Sequence, residues 1–433
     1  MVSPAFSRSV WLDTVDPAPA REPAPLPARV DVAIVGAGFT GLAAALASAK
    51  RGATVAVLER QRIAWGATSR NAGMALTGLK LPVESLIAKC GPERARSLFA
   101  SSVAAIACVE RIVREESIDC DFVRCGHLEA ACKRSHFESL RHTARLLTST
   151  FGHAVTIVER GDLAAELGSD VYHGGLVDEA SAGVNPVRLA RGLASAAIRR
   201  GALIAEATGV DTIERSSSGV ANEFQLSTAR GMLRADRVLI ATGAYTGRIT
   251  PALGRGVIPI GSYVIATERL GASAASALIP RGRMIFDSNN ILHYYRRTPD
   301  DRLLFGGRAA FVPDEERTIA KSASILRDGM VRVFPQLRDA AIDYAWGGTI
   351  DATFDLLPHA GEVDGMHYAM GFAGHGVAMA TYLGTEIAAV IAGEQRELLA
   401  SGPIPSAPFG MDGAVRRLLP LAGAWYRFQD WAS

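Results

Sequence analysis

The 433-residue chain is predicted to be an α/β protein of two domains, on three observations. The apolar run Val32-Ala33-Ile34-Val35 ends in Gly36-Ala37-Gly38-Phe39-Thr40-Gly41, and the helix formers Leu42 to Ala47 follow, which reads as strand, tight turn and helix. A second strand, Thr54 to Leu58, ends at Glu59, about 20 residues beyond the glycines, where a carboxylate accepts hydrogen bonds from a ribose. Together these form a Rossmann-like dinucleotide-binding unit. Between Ile258 and Tyr344 the pattern becomes strand-rich, which predicts a second, α+β domain built on an antiparallel sheet.

Each glycine of the first turn has its own task. Gly36 permits the reversal, Gly38 removes the side chain that would stop a pyrophosphate approaching the backbone, and Gly41 lets helix and strand pack closely. The phosphates would then rest on unpaired N–H groups at the helix N-terminus.

Lys and Arg number 46 against 44 Asp and Glu, a formal charge of +2 that gives no reason to expect nucleic acid or an anionic membrane as partner. Hydrophobic residues make up 48%, yet no apolar run approaches the roughly 18 residues of a membrane span. The five cysteines, Cys90, Cys108, Cys120, Cys125 and Cys132, are odd in number and contain no C-x-x-C pair, which fits reduced thiols and no metal site. Met1 to Trp11 lacks the apolar core of a signal peptide, so a cytoplasmic location is expected.

Taken in order, residues 12–29 carry five prolines and read as an extended lead-in, with Trp11 a candidate anchor. After Glu59, the small-residue segment Trp65 to Met74 reads as a donor-rich loop suited to phosphates or the edge of a flat ring. Leu98, Val103, Ile106, Val109, Ile112 and Val113 recur at helical spacing, so Leu81 to Cys120 is expected to form a pair of helices. A strand at Val123 to Ala131, a helix at His136 to Thr150 and a strand at Tyr172 to Asp178 follow. Asn185 then caps a helix with Pro186 at its first position; it runs to Arg200, turns at Gly201 and enters the strand Leu203 to Ala207.

Residues 211–236 read as an antiparallel excursion about Ser216 to Gly219, and the strand Arg237 to Ile240 runs into Ala241-Thr242-Gly243-Ala244. Strands are expected at Tyr263 to Thr267, Ile291 to Tyr295 and Leu303 to Gly307, with a helix at Lys321 to Phe334. Tyr368 to Val377 reads as strand, glycine turn and the start of a helix reaching Ala392, a second helix N-terminus able to hold negative charge. Past Pro403 the tail holds a helix candidate from Gly413 to Trp431. The expected division gives 30–87, 150–210, 235–250 and 345–400 to the nucleotide domain, and 88–149, 211–234 and 251–344 to the second, with a lead-in at 1–29 and a tail at 401–433.

This order of motifs resembles the FAD-dependent D-amino acid oxidase and glycine/sarcosine oxidase superfamily, and within it the gamma-glutamylputrescine oxidoreductase group. The residues that carry the resemblance are Ile34 to Leu42, Gly66 to Gly73, Asp119 to Phe122, Ala241 to Tyr245, Thr267 to Leu270, Phe334 to Leu337, Trp346 to Thr349 and Gly371 to Val377. The resemblance implies a glutathione-reductase-type FAD domain. It also implies that Gly36, Gly38, Phe39, Thr40 and Gly41 face the pyrophosphate, Glu59 and Arg60 the adenosine, and Val210 the adenine. Ala67, Thr68, Ser69, Arg70, Asn71, Gly73 and Met74 would follow the ribityl chain and flavin edge. Ala241, Thr242 and Gly243 would pass beside the dinucleotide, and Gly347, Gly348, Gly374, His375, Gly376 and Val377 would border the isoalloxazine.

Relatives that tether the flavin do so through a histidine where this chain has Arg70, or a cysteine near Trp346-Gly347, so non-covalent FAD is expected. Leu304 stands where sarcosine-oxidase-like members carry a lysine that helps oxygen react. The implied reaction is oxidation of the C–N bond of a primary or secondary amine or amino acid by hydride transfer to the flavin, with hydrolysis of the imine. The electron acceptor is oxygen or another molecule, and an oligomer is possible. A dehydrogenase subunit passing electrons elsewhere, or a non-catalytic FAD-binding subunit, stays open.

His375, Tyr263 and Tyr295 are the candidate catalytic residues, and Tyr294, Arg296 and Arg308 the candidate substrate contacts. A forked guanidinium can clamp a substrate carboxylate. The tyrosines fit a sheet core equally well, the arginines a surface, and the histidine a structural hydrogen bond within its turn.

Overall fold

The computed structural model describes residues 8–16, 25–215, 223–310, 316–396, 398 and 404–406, leaving out the side chains of 308–310 and 316. In chain order the elements are β1 (Arg29–Val35), α1 (Phe39–Lys50), β2 (Val55–Leu58), α2 (Ala67–Arg70), β3 (Met74–Ala75), α3 (Val83–Glu115), β4 (His127–Ala130) and α4 (Arg134–Phe151). There follow β5 (Thr156–Glu159), β6 (Gly174–Asp178), β7 (Ala182–Gly183), α5 (Pro186–Arg199), β8 (Leu203–Ala205), β9 (Val210–Arg215), β10 (Phe224–Thr228) and β11 (Gly231–Ile240). Then come α6 (Pro251–Gly256), β12 (Val257–Thr267), α7 (Ala272–Leu278), β13 (Met284–Asp287), β14 (Tyr294–Arg297), β15 (Leu303–Ala310), α8 (Glu316–Val333), β16 (Ile342–Thr353), β17 (His359–Val363), β18 (Met366–Met370) and α9 (Gly376–Ile391).

Two large sheets organise the chain. The first runs β17-β18-β11-β1-β2-β8, with β1 parallel to β2 and β11, and β11 parallel to β18. Every residue of β2 is buried, as a strand covered on both faces must be. One face carries α1, α3, α5 and α9, whose apolar sides build the largest core cluster around Ile34, Leu42, Ile106, Leu193 and Leu383. The other face is covered by the antiparallel pair β9-β10, joined to the first half of β11 and sealed by Phe224, Leu226 and Leu233. The serine-rich turn expected between these strands lies outside the described residues.

The second sheet runs β16-β12-β15-β14-β13-β4-β6-β5 and is antiparallel except for the β13–β4 pair. Its far side packs on α8 through Ile265, Phe305, Leu326 and Phe334. The antiparallel second sheet is therefore as expected, but the segment boundaries are not. β5 and β6, assigned by sequence to the nucleotide domain, pair in the second sheet, as does β16, while β9 and β10 belong to the first. Much of α3, chiefly its second half through Ala105, Ile106, Val109 and Ile112, also joins the core of the nucleotide domain instead of the second domain.

Local readings held with small shifts. The expected helix pair at 81–120 is one element broken at Gly91 (φ 78°, ψ 163°), directly before Pro92, whose ring bars an unbroken helix. Asn185 caps α5, its side-chain oxygen accepting the Arg188 N–H at 3.2 Å. The lead-in is not wholly extended, since Val10–Thr14 forms a 3₁₀ turn that buries Trp11. The tail helix expected at 413–431 lies outside the described residues.

Candidate active site

The first turn folds as its glycines dictate. Gly36 has φ +105°, and a Cβ there would stand 2.8 Å from the Ala241 carbonyl oxygen. A Cβ on Gly41 would stand 2.0 Å from the Gly36 carbonyl oxygen, so α1 lies directly against the turn. Thr68 places its hydroxyl at the start of α1, where it accepts the Phe39 N–H at 3.2 Å. Glu59, at the end of β2, accepts the N–H groups of Ala37 and Gln61, both at 2.8 Å, so the acid braces the turn as well as facing the cavity beside it.

The 65–74 segment contains the short helix α2 and is held by its carbonyls. Trp11 Nε1 donates to Asn71 O at 2.8 Å, Trp346 Nε1 to Arg70 O at 2.9 Å, and Arg296 Nη1 to Gly73 O at 2.6 Å. Arg70 itself donates to Gly347 O at 2.8 Å, tying α2 to β16. The Asn71 side chain closes the turn, accepting the Gly73 N–H at 2.8 Å and donating to Thr68 O at 2.8 Å. Trp11 thus is the anchor its position suggested. Arg296 is not a carboxylate clamp: it is buried, its Nη1 is taken by the backbone of Gly73 and Val184, and it lies outside the cavity.

At the other end, Asp351 of β16 accepts the Gly371 N–H at 2.8 Å through its carboxylate, while its backbone carbonyl accepts the Ala373 N–H at 2.9 Å. These bonds set the turn Gly371 to Gly374, in which Gly371 (φ +86°), Ala373 (φ +49°) and Gly374 (φ +95°) are left-handed. Burial pushes the Asp351 carboxyl up to about 6. His375 occupies the N-cap position of α9 without a side-chain capping bond; burial, reinforced by the charge of Lys80, pushes its imidazole down to about 4, so it is neutral at neutral pH. Its Nδ1 has no hydrogen-bond partner among the described residues.

Both helix N-termini open into one cavity of about 1010 Å³. Of the residues expected to bind cofactor, Gly41, Ser69, Gly73 and Gly347 do not line it and the others do. The four exceptions have packing roles. Gly41 meets the turn, Ser69 is a buried residue of α2, a Cβ on Gly73 would stand 2.1 Å from Val184 O, and Gly347 receives Arg70.

The second sheet walls the opposite side with Ser262, Phe286 and Tyr294, and Tyr294 Oη lies 3.0 Å from Ser262 Oγ. Tyr263 and Tyr295 project from the other face of the same strands into the core against α8, where Tyr295 stacks on Phe305 and donates to the Tyr172 hydroxyl at 3.0 Å. They are core residues, because strand alternation that turns Ser262 and Tyr294 to the cavity turns their neighbours away. The side chain of Arg308 lies outside the described residues.

Sequence reasoning missed Lys80 and Glu129, which both line the cavity. An acid inside the short apolar strand His127-Leu128-Glu129-Ala130 was the available signal for the second; the first lay in a loop with no pattern. Leu304 is buried in a cluster with Trp11, Val264 and Trp346, away from the cavity.

Residues 31–390 match the family model described as FAD dependent oxidoreductase. The chain belongs to this family. It is 34% identical over 434 residues to a probable oxidoreductase OrdL of Rhizobium meliloti, covering 99% of this chain and 98% of that protein. It is 31% identical over 407 residues to gamma-glutamylputrescine oxidoreductase of Escherichia coli, covering 92% of each. Its fold superposes on the crystal structure of glycine oxidase from Geobacillus kaustophilus with a TM-score of 0.70 at 24% identity, over 86% of this chain and 96% of that one.

As a FAD-dependent oxidoreductase, the chain has the donor set its cofactor calls for. The pyrophosphate needs bare backbone at a helix N-terminus, which Gly36 and Gly38, lining the cavity at the start of α1, would supply. The ring's carbonyl edge needs N–H donors, which the start of α9 would supply. No described helix is long and apolar enough to cross a membrane.

Proposed function

We propose that this chain oxidises the C–N bond of a primary or secondary amine or amino acid, of the gamma-glutamylputrescine kind, with non-covalent FAD. The observation that carries this reading is the single cavity, in which the turns at Gly36 and Gly374 face the second sheet's Ser262, Phe286 and Tyr294. FAD supplies hydride acceptance when bound. The protein positions the substrate carbon against it, and the apolar wall of Phe286, Ile291 and Leu292 keeps water away. The first N–H groups of α9 and the neutral imidazole of His375 would oppose the negative charge of the reduced ring. The imine product hydrolyses to a carbonyl and an amine or ammonia.

Non-covalent attachment is favoured by the wall itself: among the described residues no cysteine lines the cavity, and Arg70 is committed to Gly347. Leu304, buried with two tryptophans, offers no cation to a reacting oxygen, which favours a second reading in which the electrons pass to another acceptor.

Anaerobic mixing of the FAD-loaded protein with a panel of amines, sarcosine and D-amino acids tests the proposal. Loss of the flavin absorbance with at least one C–N donor is expected. A flavin that dithionite bleaches but no amine does would leave only a non-catalytic or differently specific flavoprotein.

A further inference from the structure

Among the described residues the carboxylates on the second-domain side of the cavity are satisfied, with one exception. Asp178 accepts the Thr77 hydroxyl at 2.6 Å and the Ala180 N–H at 2.8 Å, and its other contact is His153 Nε2 at 2.7 Å. Asp287 accepts the N–H groups of Asn289 and His293 and lies 3.1 Å from His293 Nδ1. Glu84 of α3, which does not itself line the cavity, accepts the Thr143 hydroxyl at 2.6 Å. Glu129 has no side-chain hydrogen bond and no ion pair among the described residues, although it lines the cavity. It sits on β4 directly beside Phe286 of β13, so an acid and an aromatic ring share one stretch of wall.

Burial together with the like charges of Glu84 and Asp287 pushes the Glu129 carboxyl up to about 7. A half-buried acid in this condition is relieved by a cation brought to it. Lys80 also lines the cavity but makes no ion pair with Glu129 in the structure.

Resting on the amine-oxidation reading above, we propose that Glu129 receives a second ammonium group of the substrate, one other than the nitrogen being oxidised. The substrate class is then an amine bearing another amino group, a diamine or an aminoacylated amine, in preference to a simple monoamine. Glu129 acts in specificity and not on the reacting bond. Phe286 beside it adds a ring face that attracts the same cation.

The test compares wild type, Glu129→Gln and Glu129→Asp in their FAD-loaded forms, with gamma-glutamylputrescine and α,ω-diamines of three to eight carbons against n-alkylamines of equal length. Wild type is expected to prefer the second-ammonium substrates. In Glu129→Gln the kcat/KM ratio of such a substrate to its alkylamine is expected to fall by about 10-fold or more, through KM, as loss of a charge-assisted contact requires. Glu129→Asp, which keeps the charge, should recover part of the ratio. Equal FAD content and thermal midpoint across the three proteins separates this from misfolding, and a variant that loses FAD is replaced in the comparison by Phe286→Leu, expected to lower the same ratio less. A ratio that does not move in Glu129→Gln, or a wild type that prefers alkylamines, overturns the inference while leaving amine oxidation standing. Failure of every amine to reduce the wild-type flavin overturns the underlying reading instead.

Discussion

Gly384 lies against Thr40 so closely that a Cβ at 384 would stand 2.3 Å from the Thr40 carbonyl oxygen. This one contact sets how near α9 comes to the first turn of α1, and with it where the two helix N-termini open into the cavity. Backbone cannot yield as a flexible side chain can, so Gly384→Ala is expected to push the helices apart and cost about 1–3 kcal/mol. Thermal unfolding with and without added FAD checks it: a lower midpoint and a reduced FAD-to-protein ratio are expected. An unchanged ratio would mean that the spacing of the helices does not matter to the cofactor.

Gly374 presents the opposite case. A Cβ there meets nothing nearer than Ile350 Cδ1 at 3.9 Å, and the only internal objection is φ +95°, a strain of about 1–2 kcal/mol. Gly374→Ala should therefore fold, yet its methyl would stand in the cavity beside the start of α9. FAD affinity measured by fluorescence titration is expected to drop by more than the thermal midpoint of the FAD-free protein implies. A loss of equal size in both would place the flavin away from this turn.

Arg296 supports the 71–73 backbone from beneath, so its replacement acts on the cofactor loop and not on substrate charge. Arg296→Met leaves the Gly73 carbonyl without its buried donor, at a cost of about 1–3 kcal/mol. Weaker FAD binding is expected, with the preference between carboxylate-bearing and carboxylate-free amines unchanged. A selective loss of the carboxylate-bearing ones would restore the role of substrate clamp to this side chain.

The buried Asp351 carboxyl, raised to about 6, makes stability pH-dependent with a fixed sign. A raised carboxyl contributes stability that is full below its unfolded value, about 4, and is lost as pH rises through about 6. Asp351→Asn removes this dependence. The variant should gain on wild type by up to roughly 2–3 kcal/mol between pH 4 and 7, on top of a constant offset for the altered bond to the Gly371 N–H. Urea unfolding at three pH values reads the difference, and a gap that does not vary with pH would show that the carboxyl titrates normally.

Much of this was legible beforehand, wherever local chemistry determines structure. The Gly36 turn, the Asn185 cap with Pro186 behind it, and the Gly374 turn each follow from backbone demands that few residues meet, and each forms where expected. Sheet membership was not legible, because β6 reaches back past α4 to β4, carrying β5 with it, and β16 reaches back to β12. Nor could alternation alone say which of Tyr294 and Tyr295 meets the cavity, since that depends on where α8 packs. Trp11 and Trp346 reach Asn71 and Arg70 by indole bonds that no spacing encodes.

The central claim is that the glycine turns before α1 and α9 hold one FAD between them, with its ring toward the second sheet. A crystal structure of the FAD-loaded protein tests this most directly. The account predicts the pyrophosphate against Gly36 to Phe39 and the isoalloxazine edge against Gly374 to Val377, with the ring face open toward Phe286 and Tyr294. A dinucleotide that touches one turn and leaves the other facing solvent would contradict it.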